Sequence, residues 1–231
     1  MSVAVLSGAD GQLPPRVAAL ARFAVTLTAE PWSLTGSAAD ELTEHGFGAD
    51  AIEAATGVVA MFNYLTRVAD ATGIEFDYAS PLPAFQPDLG RGPVARPSRP
   101  SWPVVPGEFR TLPRFPAVSE AWQRWRGYVF GSEELLTHRE RQLLAGAAAE
   151  GCCDRWRADL LAGYEPENAA ESRLVEFARK LTLQPWQMRA ADLDALREAG
   201  YAEAALLHAI VVVALQNAES RLAMGRAMTG S

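Results

Sequence analysis

The residues best suited to chemistry crowd into one short stretch, Gly151-Cys152-Cys153-Asp154-Arg155-Trp156-Arg157-Ala158-Asp159. A thiol that opens a helix beside guanidinium groups is biased toward the nucleophilic thiolate. Gly151 predicts a break, with a helix from Cys152 to about Leu161, and this would give Cys152 that setting. An adjacent Cys-Cys pair closes only into a strained ring, so no stable internal disulfide is expected. The plainer reading is two small, buried thiols at a helix contact.

Acid/base candidates are Glu140, Asp159 and His208, with Arg155 and Trp156 as neighbours able to touch a substrate. His45, His138 and His208 fall in separate helices without the i,i+3 or i,i+4 spacing of a metal pair, so no metal and no cofactor is expected. His208 alone lies on a strongly apolar segment, where it could act as a base. Asn63/Arg67 and Asn217/Arg221 are i,i+4 pairs, each on one helix face. They suit bonding of loop carbonyls or an intersubunit carboxylate, or anchoring of an anionic substrate.

The elements that must position these residues follow from an internal repeat. Phe23–Asp70 aligns with Phe177–Met224 at an offset of 154 without a gap, with 18 identities in 48 positions, against roughly 6% for unrelated sequences of average usage. Phe-Ala, Leu-Thr, Pro-Trp, Gly46/Gly200, Asn63/Asn217 and Arg67/Arg221 all recur. Each copy predicts a helix ending before Pro31 or Pro185. A short helix follows, at about 37–45 or 191–199, closed by Gly46 or Gly200. A long helix, at about 50–72 or 203–228, completes the unit. The β-branched run Ile210–Val213 reads as strand or as a helix buried nearly all round; its length and Ala-rich flanks favour helix.

Upstream of the second copy, helices are expected from Ala117, carrying Trp122 and Trp125, and from Leu136 to Glu150. The first copy has no room for their equivalents, so it reads as half a domain. The division is 1–76 as helical half-repeat, 77–116 as linker and 117–231 as complete helical domain. Ten of the 15 prolines fall between Pro81 and Pro116, which excludes helix interior there. Arg91, Arg96, Arg99, Arg110 and Arg114 charge this stretch. It reads as a strap packed by Phe85, Trp102 and Phe109, or as a basic lid.

The second copy resembles the alkylhydroperoxidase D-like and carboxymuconolactone decarboxylase superfamily, nearest its peroxidase-related branch. The match rests on Phe177–Thr182, Pro185, Asp192–Leu196, Ala199–Tyr201 and Val212–Arg221. Phe62-Asn63-Tyr64-Leu65-Thr66-Arg67 is similar to that branch's Phe-Asn-x-x-Asn-Arg-type signature, with Thr66 in place of its second asparagine. The resemblance implies an all-α fold with a helical bundle and a protruding arm, usually assembled as a dimer, trimer or hexamer; the internal repeat adds a duplicated half. Active members carry Cys-x-x-Cys-x-x-x-His opposite a glutamate. Here the resolving-cysteine position is Arg155 or Trp156, and the histidine position Asp159 or Leu160. The glutamate falls on Glu140 or Gln142.

The two-cysteine peroxidase cycle is therefore expected to be lost. What the resemblance leaves is an oxidoreductase-like residual one-cysteine peroxidase using Cys152, with Cys153 beside it as a further candidate thiol, or a cofactor-independent lyase or isomerase acting on a small organic molecule. The alternative is a non-catalytic oligomeric binding or scaffold protein. A net charge of −7 disfavours nucleic acid and anionic membrane as partners. Val3–Leu6 is too short for a secretory core, and no apolar run reaches the ~18–20 residues of a membrane span. A cytoplasmic location is expected.

Overall fold

The computed structural model describes residues 13–74, 94–131 and 134–229, and all regular structure among them is helical. The first group comprises α1 (Pro15–Ala29), α2 (Gly36–Glu44) and α3 (Ala49–Thr72). The second comprises α4 (Pro116–Gly131), α5 (His138–Gly151) and α6 (Arg155–Leu160). The third comprises α7 (Ala169–Leu183), α8 (Ala190–Glu198) and α9 (Glu203–Thr229).

The start of α1 maps onto that of α7 at the 154-residue offset, and its end does too. The same holds for α2 and α8, for the single 3-10 turns Pro31–Ser33 and Pro185–Gln187, and for the starts of α3 and α9. Local chemistry explains the shared boundaries. Pro31 and Pro185 cannot continue the preceding helix and instead open the 3-10 turns. Gly46 and Gly200 take φ of +80° and +100°, left-handed values that glycine adopts without a Cβ clash.

The β-branched run is helical. It belongs to α9, whose residues 212–225 are buried without interruption. This helix is the axle of the molecule. One core gathers α5, α7 and α9 around Leu144, Leu174, Leu181 and Val213. A second gathers α1, α2 and α3 around Phe23, Leu27 and Leu42, and is completed by Ala223 and Met224 of α9. The two long helices approach closely where Gly225 meets α3: a Cβ there would lie 2.5 Å from Thr56 Cγ2.

Three expectations need correction or restriction. The helix expected from Leu136 begins at His138, because Thr137 caps it: its hydroxyl accepts from the Glu140 N–H while Glu140 accepts from the Thr137 N–H. No helix begins at Cys152; α5 runs through Gly151 and the next helix starts at Arg155. The strap is described only from Val94, so Phe85, Arg91 and the prolines up to Pro93 lie outside the described residues.

From Val94 onward the strap is tied down rather than free. Arg96 donates to the Glu150 carbonyl (3.0 Å), Arg99 to Asp159 (2.9 Å) and Arg114 to Asp50 (2.6 Å). Its own Val105 and Leu112 are buried against the bundle.

Candidate functional site

Cys152 is the C-cap of α5, and Cys153 follows in the left-handed region at φ 56°. The Cys153 N–H donates to the Glu150 carbonyl (3.1 Å) and the Asp154 N–H to the Ala149 carbonyl (2.9 Å). These two bonds make a Schellman ending, in which the left-handed position ordinarily falls to glycine. A cysteine there carries backbone strain of about 1–2 kcal/mol. The reversal also turns the expected dipole argument around: Cys152 lies at the negative, C-terminal end of a helix. Both thiols are free, with 1% and 0% exposure. Burial pushes the Cys153 thiol up to about 12, so it is protonated at neutral pH.

Cys152 touches a polar lattice inside the bundle. Its thiol donates to Asn217 Oδ1 (3.4 Å), and Arg221 Nη1 donates to Cys152 Sγ (3.3 Å). Arg221 Nη1 also donates to Asn217 Oδ1 (3.0 Å), while its Nε and Nη2 reach the Thr28 carbonyl at 3.1 and 2.8 Å. The other half mirrors this. Arg67 Nη1 donates to Asn63 Oδ1 (2.8 Å), and Nη2 to the Thr182 carbonyl (3.3 Å).

Each asparagine donates to the threonine hydroxyl of its own half: Asn63 to Thr28 (3.1 Å) and Asn217 to Thr182 (2.9 Å). Each arginine thus crosses to the threonine carbonyl at the end of the other half's first helix. The halves are not equal in comfort. Arg67 Nε has no hydrogen-bond partner among the described residues. Burial, then the nearby Arg221 cation, lowers the Arg67 pKa to about 9.

A second buried network adjoins the first. Asp154 caps α6 by accepting from the Arg157 N–H (3.2 Å). It also accepts both Arg110 Nη2 bonds (2.9 and 2.8 Å) and the Ser220 hydroxyl (2.7 Å). Arg110 lies over the Trp156 ring at 4.9 Å from its centroid. Trp156 lies so close to Gly107 that a Cβ there would meet the indole at 2.9 Å. Arg157 extends the chain to Gln216 Oε1 (3.2 Å), and Gln216 donates to Ser220 (3.0 Å).

The remaining candidates are scattered. Glu140 closes the capping box at the other end of α5 and accepts from the Tyr201 hydroxyl (2.8 Å). Twelve residues of helix put it ~18 Å from Cys152. Gln142, the other option for the family glutamate, is buried in the same first turns of α5. Asp159 is exposed and paired with Arg99 and Arg155; the Arg99 hydrogen bond, above all, holds its carboxyl below the usual range. Arg155 also reaches the Pro100 carbonyl at 3.5 Å. His208 is buried on α9, with Nε2 donating to the Val129 carbonyl of α4 (2.9 Å).

Thus Cys152, Cys153, Arg67 and Asn63 share one region of the interior, Arg155, Trp156 and Asp159 share α6 and the strap, and Glu140 and His208 stand apart. A cavity of about 40 Å³ lies between α3, α4, the strap and α9; Gly57, Met61, Arg110, Leu112, Val118 and Trp122 are among its lining, so it borders the Asp154 network through Arg110.

Sequence reasoning missed Thr28 and Thr182, although both are identities of the repeat, and it missed Gln216 and Ser220; Arg110 it gave only as one of the strap's charges. No pattern in the chain pairs Arg110 with Asp154 across 44 positions. Among the described residues, no group of three or more His, Cys, Asp or Glu could hold a metal ion, and no helix is long and apolar enough to cross a membrane. Compared with known proteins, the chain matches no family model, no curated protein and no solved structure.

Proposed function

We propose that the chain is a divergent alkylhydroperoxidase D-like protein, built by an internal duplication, that serves as a non-catalytic oligomeric binding or scaffold protein. The observation that carries this reading is the engagement of the candidate groups. Both thiols are buried, Cys152 is held between Asn217 and Arg221, and Cys153 stays protonated. Glu140 serves a helix cap, His208 a helix carbonyl and Asp159 two surface arginines. Groups committed to internal bonds are poorly placed to move protons on a substrate. The duplication is supported by helix boundaries that recur at one offset and by the crossed Asn–Arg–Thr bonds.

One observation favours a second reading, residual one-cysteine peroxidase chemistry. A guanidinium contact on Sγ is the environment in which a thiol becomes a nucleophile. The test is peroxide consumption by the full chain with a supplied dithiol, beside Cys152→Ser. A rate equal to the protein-free background, unchanged by the substitution, supports the scaffold reading. Turnover that Cys152→Ser abolishes overturns it.

A further inference from the structure

The two long helices are treated unequally by the other described residues. On α9, the face bearing Val212, Leu215, Gln216 and Glu219 is at most 1% exposed. Arg157 of α6 bonds Gln216 (3.2 Å), and Arg126 of α4 pairs with Glu219 (2.9 Å). Val212 and Leu215 are packed in the core that α5 shares.

The equivalent positions on α3, 154 residues earlier, are Val58, Met61, Phe62 and Leu65. These are 39–60% exposed. Their i, i+3, i+4, i+7 spacing makes one continuous stripe. Between Ala54 and Ala69 no ionisable side chain falls on it. No described residue does for α3 what α5 and α6 do for α9.

The stripe continues onto α4. Met61 and Val118 line the same cavity, and the Tyr64 and Trp122 rings meet edge-to-face at 6.2 Å. Val118 and Trp125 are exposed beside them. Six large apolar side chains, each about half open and ~150–250 Å² when fully open, leave on the order of 500 Å² of apolar surface. That is at the upper end for a lone monomer's largest patch. A standard interface takes ~800 Å² from each partner, of which roughly 60% is apolar, or about 500 Å².

We propose that the α3–α4 face is where a second copy of this chain docks, stripe against stripe, in a twofold dimer that replaces the missing cover. An uncharged apolar stripe suits such pairing, because an isologous contact sets each patch against itself and like charges would oppose one another across the axis. The proposal rests on the oligomeric part of the function proposed above and gives it a surface.

The test is the molar mass of the full chain by light scattering and by sedimentation across micromolar concentrations, for the natural sequence, Phe62→Asp and Val25→Asp. Val25 is an exposed apolar residue of α1, outside the stripe. We expect a dimer that Val25→Asp leaves intact and that Phe62→Asp weakens at least 100-fold, with unchanged circular dichroism.

Should Phe62→Asp fail to fold, Met61→Cys keeps the test open. A bis-maleimide should then link two chains through position 61, since both natural thiols are buried. A dimer indifferent to Phe62→Asp and unlinked at position 61 overturns this surface but leaves the oligomeric reading standing. A monomer at every concentration overturns both. A monomer in which a thiol at position 61 is also shielded from maleimide assigns the stripe to other residues of the same chain, and overturns the dimer equally.

Discussion

Replacing Arg67 and Arg221 separately by Met distinguishes the two halves of the central lattice. Arg221 makes bonds to the Thr28 carbonyl and to Asn217 Oδ1 and the Asn217 carbonyl, besides its contact with Cys152. Removing it takes those donors from the buried Asn217 and from the Thr28 carbonyl near the end of α1. Each unpaired buried acceptor costs about 1–3 kcal/mol, and bonds from a charged donor are among the stronger ones. We expect Arg221→Met to cost about 3–5 kcal/mol, a fall in Tm of roughly 10–15 °C for a chain of this size.

Arg67 makes fewer bonds, with Nε unpartnered among the described residues, and its cation is held against burial and against Arg221. A pKa lowered from the usual guanidinium range to about 9 corresponds to a penalty on the order of 5 kcal/mol on the charged form at neutral pH. That penalty offsets the bonds, so Arg67→Met should lie within about 1–2 kcal/mol of the natural protein. Above about pH 9 the folded protein releases a proton that the unfolded chain still keeps, so the penalty fades as pH rises. The natural protein should therefore gain on Arg67→Met by about 1–2 kcal/mol between pH 8 and 10. Urea unfolding of both variants at the two pH values provides the assay. A larger loss for Arg67→Met than for Arg221→Met, or a gap that moves the other way with pH, would refute the reasoning.

Asp154→Ala should cost about 3–5 kcal/mol, because it strands the buried Arg110 guanidinium; Arg110→Met with Asp154→Leu together should cost less than Asp154→Ala alone, as urea titration can verify. At the left-handed position, Cys153→Gly should fall within about 1 kcal/mol of the natural protein, relief of strain offsetting lost packing, whereas Cys153→Val should lose 2 kcal/mol or more, judged by thermal melting. Gly225→Ala should cost about 1–3 kcal/mol, since its methyl meets Thr56 Cγ2 at 2.5 Å, and the paired change Thr56→Ser should recover part of that loss.

Much of the fold was legible because its signals are local and repeated. Pro31 and Pro185 fix two helix ends, Gly46 and Gly200 fix two more, and the recurrence of Phe23–Asp70 as 177–224 doubled the weight of each sign. The helix start at Cys152 was misjudged for a physical reason. Gly151 looked like the break, yet it sits inside α5, where its Cβ would meet Thr182 Cγ2 at 2.5 Å, and the chain turns instead through a left-handed cysteine. Local sequence gives no warning of that, since the αL position ordinarily belongs to Gly or Asn.

The candidate site was less legible than the fold. The i,i+4 spacing placed Asn63 with Arg67 and Asn217 with Arg221, but not the crossing of each arginine to the opposite half, which depends on how α3 and α9 pack. The separation of Glu140 from Cys152 was readable in principle, once α5 is taken as one unbroken helix between them.

The most direct measurement is the labelling rate of Cys152 and Cys153 by a water-soluble disulfide reagent in the native protein, followed as denaturant is raised from zero. If the thiols belong to a closed structural lattice, both react only as fast as the molecule opens, and the rate climbs with denaturant toward that of the unfolded chain. Prompt, stoichiometric labelling of Cys152 in plain buffer, with the helical signal intact, would mean that the thiol meets solvent in the native state, and would contradict the scaffold reading.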